Sequence, residues 1–335
     1  MKFRFGPAMA GASALALLGA SFPAGAETLA DALALAYQTN PTLQQQRAQL
    51  RALDETVVQA RSGYRPSADL GASANVRNRG VNGEFGDNPF SGAGTTDSLG
   101  FTANVLQNLY TGGRITSGVR AAEADILSGR EQLRSVENDL FQSVIQAYVD
   151  VRRDEEALTI RQNNVAVLRR QLEETRARFE VGEITRTDVA QAEARLAAAE
   201  ALLSQAQAQL ATSRASYTAV VGQAPGTLAP EPVLASIPPS IQQAFDVAEG
   251  NNPLLRSAAY AEQAAAARVA AARAETRPSV QLRGNAGYGR ELTSTDLGQY
   301  TTDLGATVGL SYPLFTGGLT TSRIRQARER NNAAR

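Results

Sequence analysis

The chain has 335 residues, 33 basic and 33 acidic, so its formal net charge is zero and no overall basic field points to nucleic acid. Cysteine, histidine and tryptophan are absent, which excludes a disulfide, a thiol nucleophile, an imidazole base, a Ser-His-Asp triad and any Cys/His metal site. The length allows a large core or two repeated units.

Residues 1–26 read as a secretory signal peptide. Lys2 and Arg4 supply the positive start, Ala8 to Ala20 the short apolar region, and Ala24-Gly25-Ala26 the small-residue cleavage site. No later stretch is a continuous apolar run of about 18 residues, so any part that enters a membrane must do so as β-structure.

From Leu29 to Gly63 the pattern is helical. Leu43, Leu50, Val57 and Tyr64 recur every seven residues, as along a coiled-coil seam. Asn40-Pro41 interrupts it, predicting a short helix to about Thr39 and a longer one that Pro66 closes. The period then falls to two. Ala68, Leu70, Ala72, Ala74 and Val76 alternate with polar residues or glycine, the mark of a strand with one apolar face. Residues 79–97, rich in Gly, Asn, Asp and Ser, read as a long exposed loop. Alternation resumes with Leu99, Phe101, Ala103 and Val105 and stops at Leu109-Tyr110-Thr111-Gly112-Gly113.

From about Thr116 to Val181 the seven-residue spacing returns, first through Val119, Ile126, Leu133 and Leu140. After a four-residue step that moves the seam to a neighbouring face, it continues through Val144, Val151, Leu158, Val165, Leu172 and Phe179. A helix over that span is roughly 100 Å long. Gly182 can take the left-handed conformation that ends it. Thr185 or Thr187 can cap the next helix, and Asp188 suits its positive end. That returning helix carries Val189, Leu196, Leu203, Leu210 and Tyr217, with Ala192, Ala199, Ala206 and Ser213 as a small-residue stripe beside them. Residues 222–240 contain Pro225, Pro230, Pro232, Pro238 and Pro239 and form either a plain linker or a small side element.

The chain then repeats itself. Asn252-Pro253 matches Asn40-Pro41, and Arg277-Pro278-Ser279 matches Arg65-Pro66-Ser67, both at an offset of 212. A strand through Val280, Leu282, Ala286 and Tyr288, a loop at 291–301, and a strand through Leu304, Ala306, Val308, Leu310, Tyr312 and Leu314 follow. They end in Leu314-Phe315-Thr316-Gly317-Gly318, the counterpart of Leu109 to Gly113 at an offset of 205. The expected organisation is a first repeat at 27–221, a connector at 222–240 and a second repeat at 241–335. The first contains a strand–loop–strand unit at 66–110 and a hairpin tip at 180–188; the second contains a strand–loop–strand unit at 278–315. The repeat also predicts a long helix after Gly318, of which about 15 residues precede Arg335, so a second hairpin is expected beyond it.

Each strand is long enough to cross a bilayer when tilted. Four strands cannot close a barrel, since about eight is the minimum, and an open edge cannot face lipid. The simplest solution is a symmetric oligomer that pools strands; a trimer supplies twelve. The fold expected is therefore α plus membrane β-barrel, with long antiparallel coiled-coil helices continuous with four strands per subunit. Gly112, Gly113, Gly317 and Gly318 are the candidate strand–helix hinges. No Lys or Walker spacing follows either Gly-Gly pair, which argues against a phosphate loop.

The two Leu-aromatic-Thr-Gly-Gly junctions, the repeat, and Phe179-Glu180-Val181-Gly182-Glu183-Ile184-Thr185-Arg186-Thr187-Asp188-Val189 resemble the TolC family of outer-membrane exit ducts. The resemblance covers nearly all of 27–335. It implies a homotrimer with a twelve-stranded barrel in outer-membrane lipid and a helical extension in the periplasm. It also implies docking onto a periplasmic adaptor (membrane fusion) protein and an inner-membrane pump of the ABC, RND or similar class. It implies passive efflux or type I secretion, with no catalysis, cofactor or nucleic acid. Val181, Gly182, Thr187 and Asp188 match the family's adaptor-docking tip, while the family's second-hairpin closure residues have no counterpart before Arg335. The alternative reading is an exported periplasmic coiled-coil structural or adaptor protein.

Overall fold

The structure, a computed structural model, describes residues 26–79, 94–232, 238–291 and 300–335. The expected signal peptide up to residue 25, the middle of both strand-connecting loops and part of the proline-rich connector lie outside the described residues. Among the described residues, seven helices and four strands run in the order α1 (Leu29–Thr39), α2 (Pro41–Ser62), β1 (Ser67–Arg79), β2 (Gly94–Tyr110), α3 (Arg114–Glu180), α4 (Arg186–Val221), α5 (Ile241–Asn251), α6 (Pro253–Ala274), β3 (Ser279–Glu291), β4 (Tyr300–Ser311) and α7 (Leu319–Ala334). Two compact units result. Among the described residues, one draws on 26–36 and 144–232, the other on 37–79, 94–143, 238–291 and 300–335.

Local chemistry sets the helix starts. At α1, Thr28 N and Oγ1 donate to Asp31 Oδ2 at 3.1 and 2.6 Å, and Asp31 N donates back to Thr28 Oγ1. This reciprocal pair satisfies donors that a helix start leaves open. The two Asn-Pro steps act alike. Asn40 Oδ1 accepts from Thr42 N at 2.9 Å, and Asn252 Oδ1 accepts from Leu254 N at 2.9 Å. Each following proline occupies the first helical position, where no N–H is missed.

In the second unit the sheet is wholly antiparallel in the order β1-β2-β3-β4, leaving β1 and β4 as edges. The register aligns the apolar positions of all four strands. Leu70 faces Ala103, Ala72 faces Phe101 and Ala74 faces Leu99. Phe101 then faces Tyr288, Ala103 faces Ala286, and Ala286 faces Leu304. The opposite face is polar or glycine apart from Leu106, with Asn104 Nδ2 donating to Asp69 Oδ2 at 2.9 Å and Asn285 donating to Asp303. The apolar face is bare in the single chain: Leu70 and Leu304 are 88% exposed and Val76 77%.

Beside the sheet, α2 packs on α3 through Leu53, Val57, Ala60, Ala122 and Ile126. Helix α6 joins α3 through Arg268–Asp125 at 2.5 Å and a Ser128–Ser257 hydroxyl contact at 3.0 Å. Helix α7 lies on α6 with Arg323–Glu275 at 3.0 Å and Arg335–Glu262 at 2.9 Å. In the first unit α3 and α4 form an antiparallel hairpin. Its seam buries Val144, Val151, Val165 and Leu172 of α3 and Leu210 and Tyr217 of α4, with Ala199 and Ser213 of the small-residue stripe also buried.

Three boundaries differ from those expected. Tyr64 lies past the end of α2; it is 49% exposed and meets Thr116 through its hydroxyl at 2.8 Å instead of extending the seam. Strand β2 begins at Gly94, so residues 94–97 belong to the ladder, because β1 continues to Arg79 and supplies them with partners. Strand β4 ends at Ser311, leaving Tyr312 and Leu314 outside it; Pro313 has no N–H to offer a ladder.

Candidate functional site

The hairpin tip is built by a stop and a start only a few residues apart. Helix α3 closes when Gly182 turns to φ +82°, in the left-handed region that glycine enters freely. Gly182 N then donates to Phe179 O and Glu183 N to Arg178 O, both at 3.0 Å. These are the two bonds of a Schellman close. Thr185, not Thr187, is the cap of α4. Its N and Oγ1 both donate to Asp188 Oδ2, at 2.9 and 2.7 Å. The Thr185 hydroxyl, then its amide, hold the Asp188 carboxyl below its ordinary value of 3.8.

Asp188 therefore has an internal task, and most of the turn around it is exposed. Val181 is 72% exposed, and Gly182, Glu183, Arg186 and Thr187 are exposed. Val181, Gly182, Thr187 and Asp188 thus lie together on one turn. A shallow groove of about 280 Å³ runs beside it, lined by Leu168, Gln171, Thr175, Ile184, Asp188 and Ala192. Cross-arm ion pairs hold the two helices in register, with Arg176–Glu193 at 2.7 Å, Arg169–Glu200 at 3.1 Å and Arg214–Glu155 at 2.8 Å.

The second candidate set lies in the other unit. Gly112 and Gly113 have φ +64° and +94°, and Gly317 and Gly318 have φ +61° and +86°. Both pairs stand where a strand gives way to a helix. Their surroundings differ. A Cβ on Gly112 would lie 2.7 Å from Arg277 Cβ and 3.0 Å from Ala274 O, and Arg277 Nη1 donates to Gly112 O at 3.0 Å. A Cβ on Gly317 would meet nothing within 4 Å.

A third cluster escaped the sequence reading. Glu27 N donates to Thr227 O at 2.8 Å and Ala229 N to Glu27 O at 2.9 Å, so the segment before α1 is clamped to the segment after α4. Two fully buried tyrosines hold the clamp. Tyr148 Oη contacts Ala229 O at 2.6 Å and Glu27 O at 3.0 Å, and Tyr217 donates to Glu27 Oε1 at 2.7 Å. Burial raises both phenols, and for Tyr217 the hydrogen bond to Glu27 adds to the rise. Tyr217 stood on the seven-residue seam and read as core; Tyr148 lay off the seam. Their partners sit at the far ends of α1 and α4, so no local spacing pointed to the cluster. Further along the hairpin, buried Asp154 accepts from Ser213 and, at 3.4 Å, from Gln209. Burial raises its carboxyl, but the bonds from Arg153 and Ser213 outweigh that and lower it overall.

Among the described residues no cluster of acidic side chains converges on a cation position, and no helix is long and apolar enough to cross a membrane.

Comparison with known proteins agrees with this architecture. The outer membrane efflux protein family model matches residues 32–223 and 244–335. The outer membrane efflux protein BepC of Brucella suis is 35% identical over 310 residues, covering 92% of this chain and 65% of its own length. The outer membrane protein TolC of Vibrio cholerae is 28% identical, covering 90% and 68%. The chain thus spans about two thirds of the length of these curated relatives. In fold it is similar to the Campylobacter jejuni CmeC outer membrane channel, with a TM-score of 0.77 at 16% identity over 91% of this chain and 66% of the other. By its family match over both halves, and with the four-stranded sheet and long helical hairpin of such channels, this chain belongs to the outer membrane efflux protein family.

Proposed function

We propose that this protein is a passive exit duct of the outer membrane, working in efflux or type I secretion with a periplasmic adaptor and an inner-membrane pump. In this reading three copies pool their sheets into a twelve-stranded barrel. The long helices form the periplasmic extension, and the turn at Val181, Gly182, Thr187 and Asp188 meets the adaptor. The chain is an internal duplication, with repeats at 27–221 and 241–335 joined by the 222–240 connector, and the paired glycines at 112, 113, 317 and 318 are its strand–helix hinges. Energy for transport comes from the partners.

The observation that supports this reading best is the sheet. It carries a continuous apolar face, with Leu70 and Leu304 88% exposed, and two open edges. Water would leave such a face and such edges costly, whereas lipid accepts the face and further copies pair the edges. The order helix, helix, strand, strand, helix at 29–180 and again at 241–334 supports the duplication.

The test is Leu304→Arg in the full-length protein. On a lipid-facing strand near mid-bilayer an arginine costs up to about 4 kcal/mol. The yield of oligomer extracted from membranes by detergent should fall sharply, while Thr307→Arg on the opposite face should be tolerated. Release of the unaltered protein as a monomer by a salt wash overturns the barrel.

A further inference from the structure

We propose that neighbouring copies of this chain join β4 to β1 in one register, in which facing residues have numbers totalling 382, and that Arg65 of one copy closes the turn at Gly317 of the next. This rests on the barrel reading above and adds its subunit joint.

The argument starts from a joint within the chain. Strand β2 ends the first strand pair and β3 begins the second, and in their ladder facing residues from Ser98 to Asn108 total 389, as in Phe101 with Tyr288 and Ala103 with Ala286, before a one-residue shift at Tyr110. Positions of β1 correspond to those of β3 at an offset of 212, set by Arg65-Pro66-Ser67 and Arg277-Pro278-Ser279, and positions of β2 to those of β4 at an offset of 205, set by the two Leu-aromatic-Thr-Gly-Gly runs. Where one copy ends in β4 and the next begins with β1, the same joint transposed by these offsets gives the total of 382.

Three features of the edges agree with that register. First, the apolar pairs match large with small: Val308 meets Ala74, Leu310 meets Ala72 and Ala306 meets Val76. The β1–β2 ladder pairs in the same way, with Leu70 on Ala103 and Ala72 on Phe101, whereas β2–β3 sets Phe101 on Tyr288 and β3–β4 sets Val280 on Leu310. A two-residue slip in either direction would instead set Leu310 on Leu70 or Val308 on Val76. Second, Asp303 comes diagonally beside Arg77, within the reach of a long side chain. Third, the turns complement each other. Inside the chain Arg277 packs on Gly112 and donates to its carbonyl at 3.0 Å. Arg65 is the counterpart of Arg277 and Gly317 that of Gly112. Arg65 is exposed, and Gly317, at φ +61°, has open space where Gly112 has an arginine. Each half-joint thus holds what the other lacks.

The absence of cysteine makes the test clean. Two double variants of the full-length protein, N75C/T307C and A74C/V308C, place cysteines at adjacent in-register pairs. Adjacent antiparallel pairs alternate between hydrogen-bonded and non-hydrogen-bonded positions, and the latter brings the Cα atoms to about 4.5 Å, within disulfide range. The slipped controls are S73C/T307C, R77C/T307C, A72C/V308C and V76C/V308C. After mild oxidation in membranes, non-reducing gels should show covalent dimers and trimers from at least one in-register pair, several-fold above every control. A stronger link from a slipped pair overturns the register while leaving the trimeric barrel standing. An intact trimer without links from any pair overturns the β4–β1 joint. Monomers alone by sedimentation in detergent overturn the barrel and the joint with it. For the turn, Arg65→Ala should lower the temperature at which the oligomer dissociates, with Arg65→Lys nearer the unaltered protein. No change in Arg65→Ala removes Arg65 from the joint.

Discussion

Six glycines take positive φ among the described residues, and no other residue type does. They are not equivalent. Gly182 at φ +82° has nothing within 4 Å of a built Cβ, so Gly182→Ala should cost only the left-handed strain, about 1–2 kcal/mol. Gly112→Ala carries the same strain and also drives a methyl to 2.7 Å from Arg277 Cβ and 3.0 Å from a carbonyl oxygen. Thermal unfolding should therefore show Gly112→Ala as the more damaging change, with lower recovery of assembled protein. Equal losses would mean that conformational freedom alone explains the glycine at 112. At this scale the sequence marked the glycines, because their chemistry is local, but it gave no means of ranking them. The arginine that distinguishes Gly112 lies 165 residues further along the chain.

At the scale of elements, the 67-residue α3 and its return in α4 followed from the seven-residue spacing. The seam is buried at Val144, Val151, Val165, Leu172, Leu210 and Tyr217, half-buried at Leu158, Val189, Leu196 and Leu203, and exposed at Phe179 beside the tip. The ends were harder. Residues 94–97 looked like loop because they are Gly, Thr, Thr and Asp, yet a ladder partner on β1 makes them strand. The clamp at Glu27 belongs here too. Tyr217→Phe removes its bond to Glu27 Oε1 and should destabilise the hairpin base by about 1 kcal/mol. Limited proteolysis should then cut the stretch after α4, which the clamp holds at Thr227 and Ala229, sooner than in the unaltered protein. An unchanged cleavage rate would show that Tyr148 and the backbone bridge hold that segment without it.

For the whole molecule, the proposed role of the tip can be separated from its role in folding. Gly182→Pro with Asp188→Arg disrupts the turn, since proline cannot adopt φ +82°, and reverses the capping charge. The full-length double variant should assemble in the outer membrane in normal amount yet lose export, read as retention of substrate in cells. Export at the normal rate would remove the tip as the docking surface. The sequence by itself determined the long helical hairpin, the two strand pairs and their apolar faces, the glycines that bend the chain and the recurrence of short residue motifs, though not the ends of every element. Those properties depend on neighbours within a few residues or on a fixed period. The tertiary structure alone decided the pairing of β2 with β3, the clamp of Glu27 by Tyr148 and Tyr217, and the contrast between a packed Gly112 and an open Gly317. Each depends on groups brought together across more than a hundred residues, a distance over which neither propensity nor periodicity carries information.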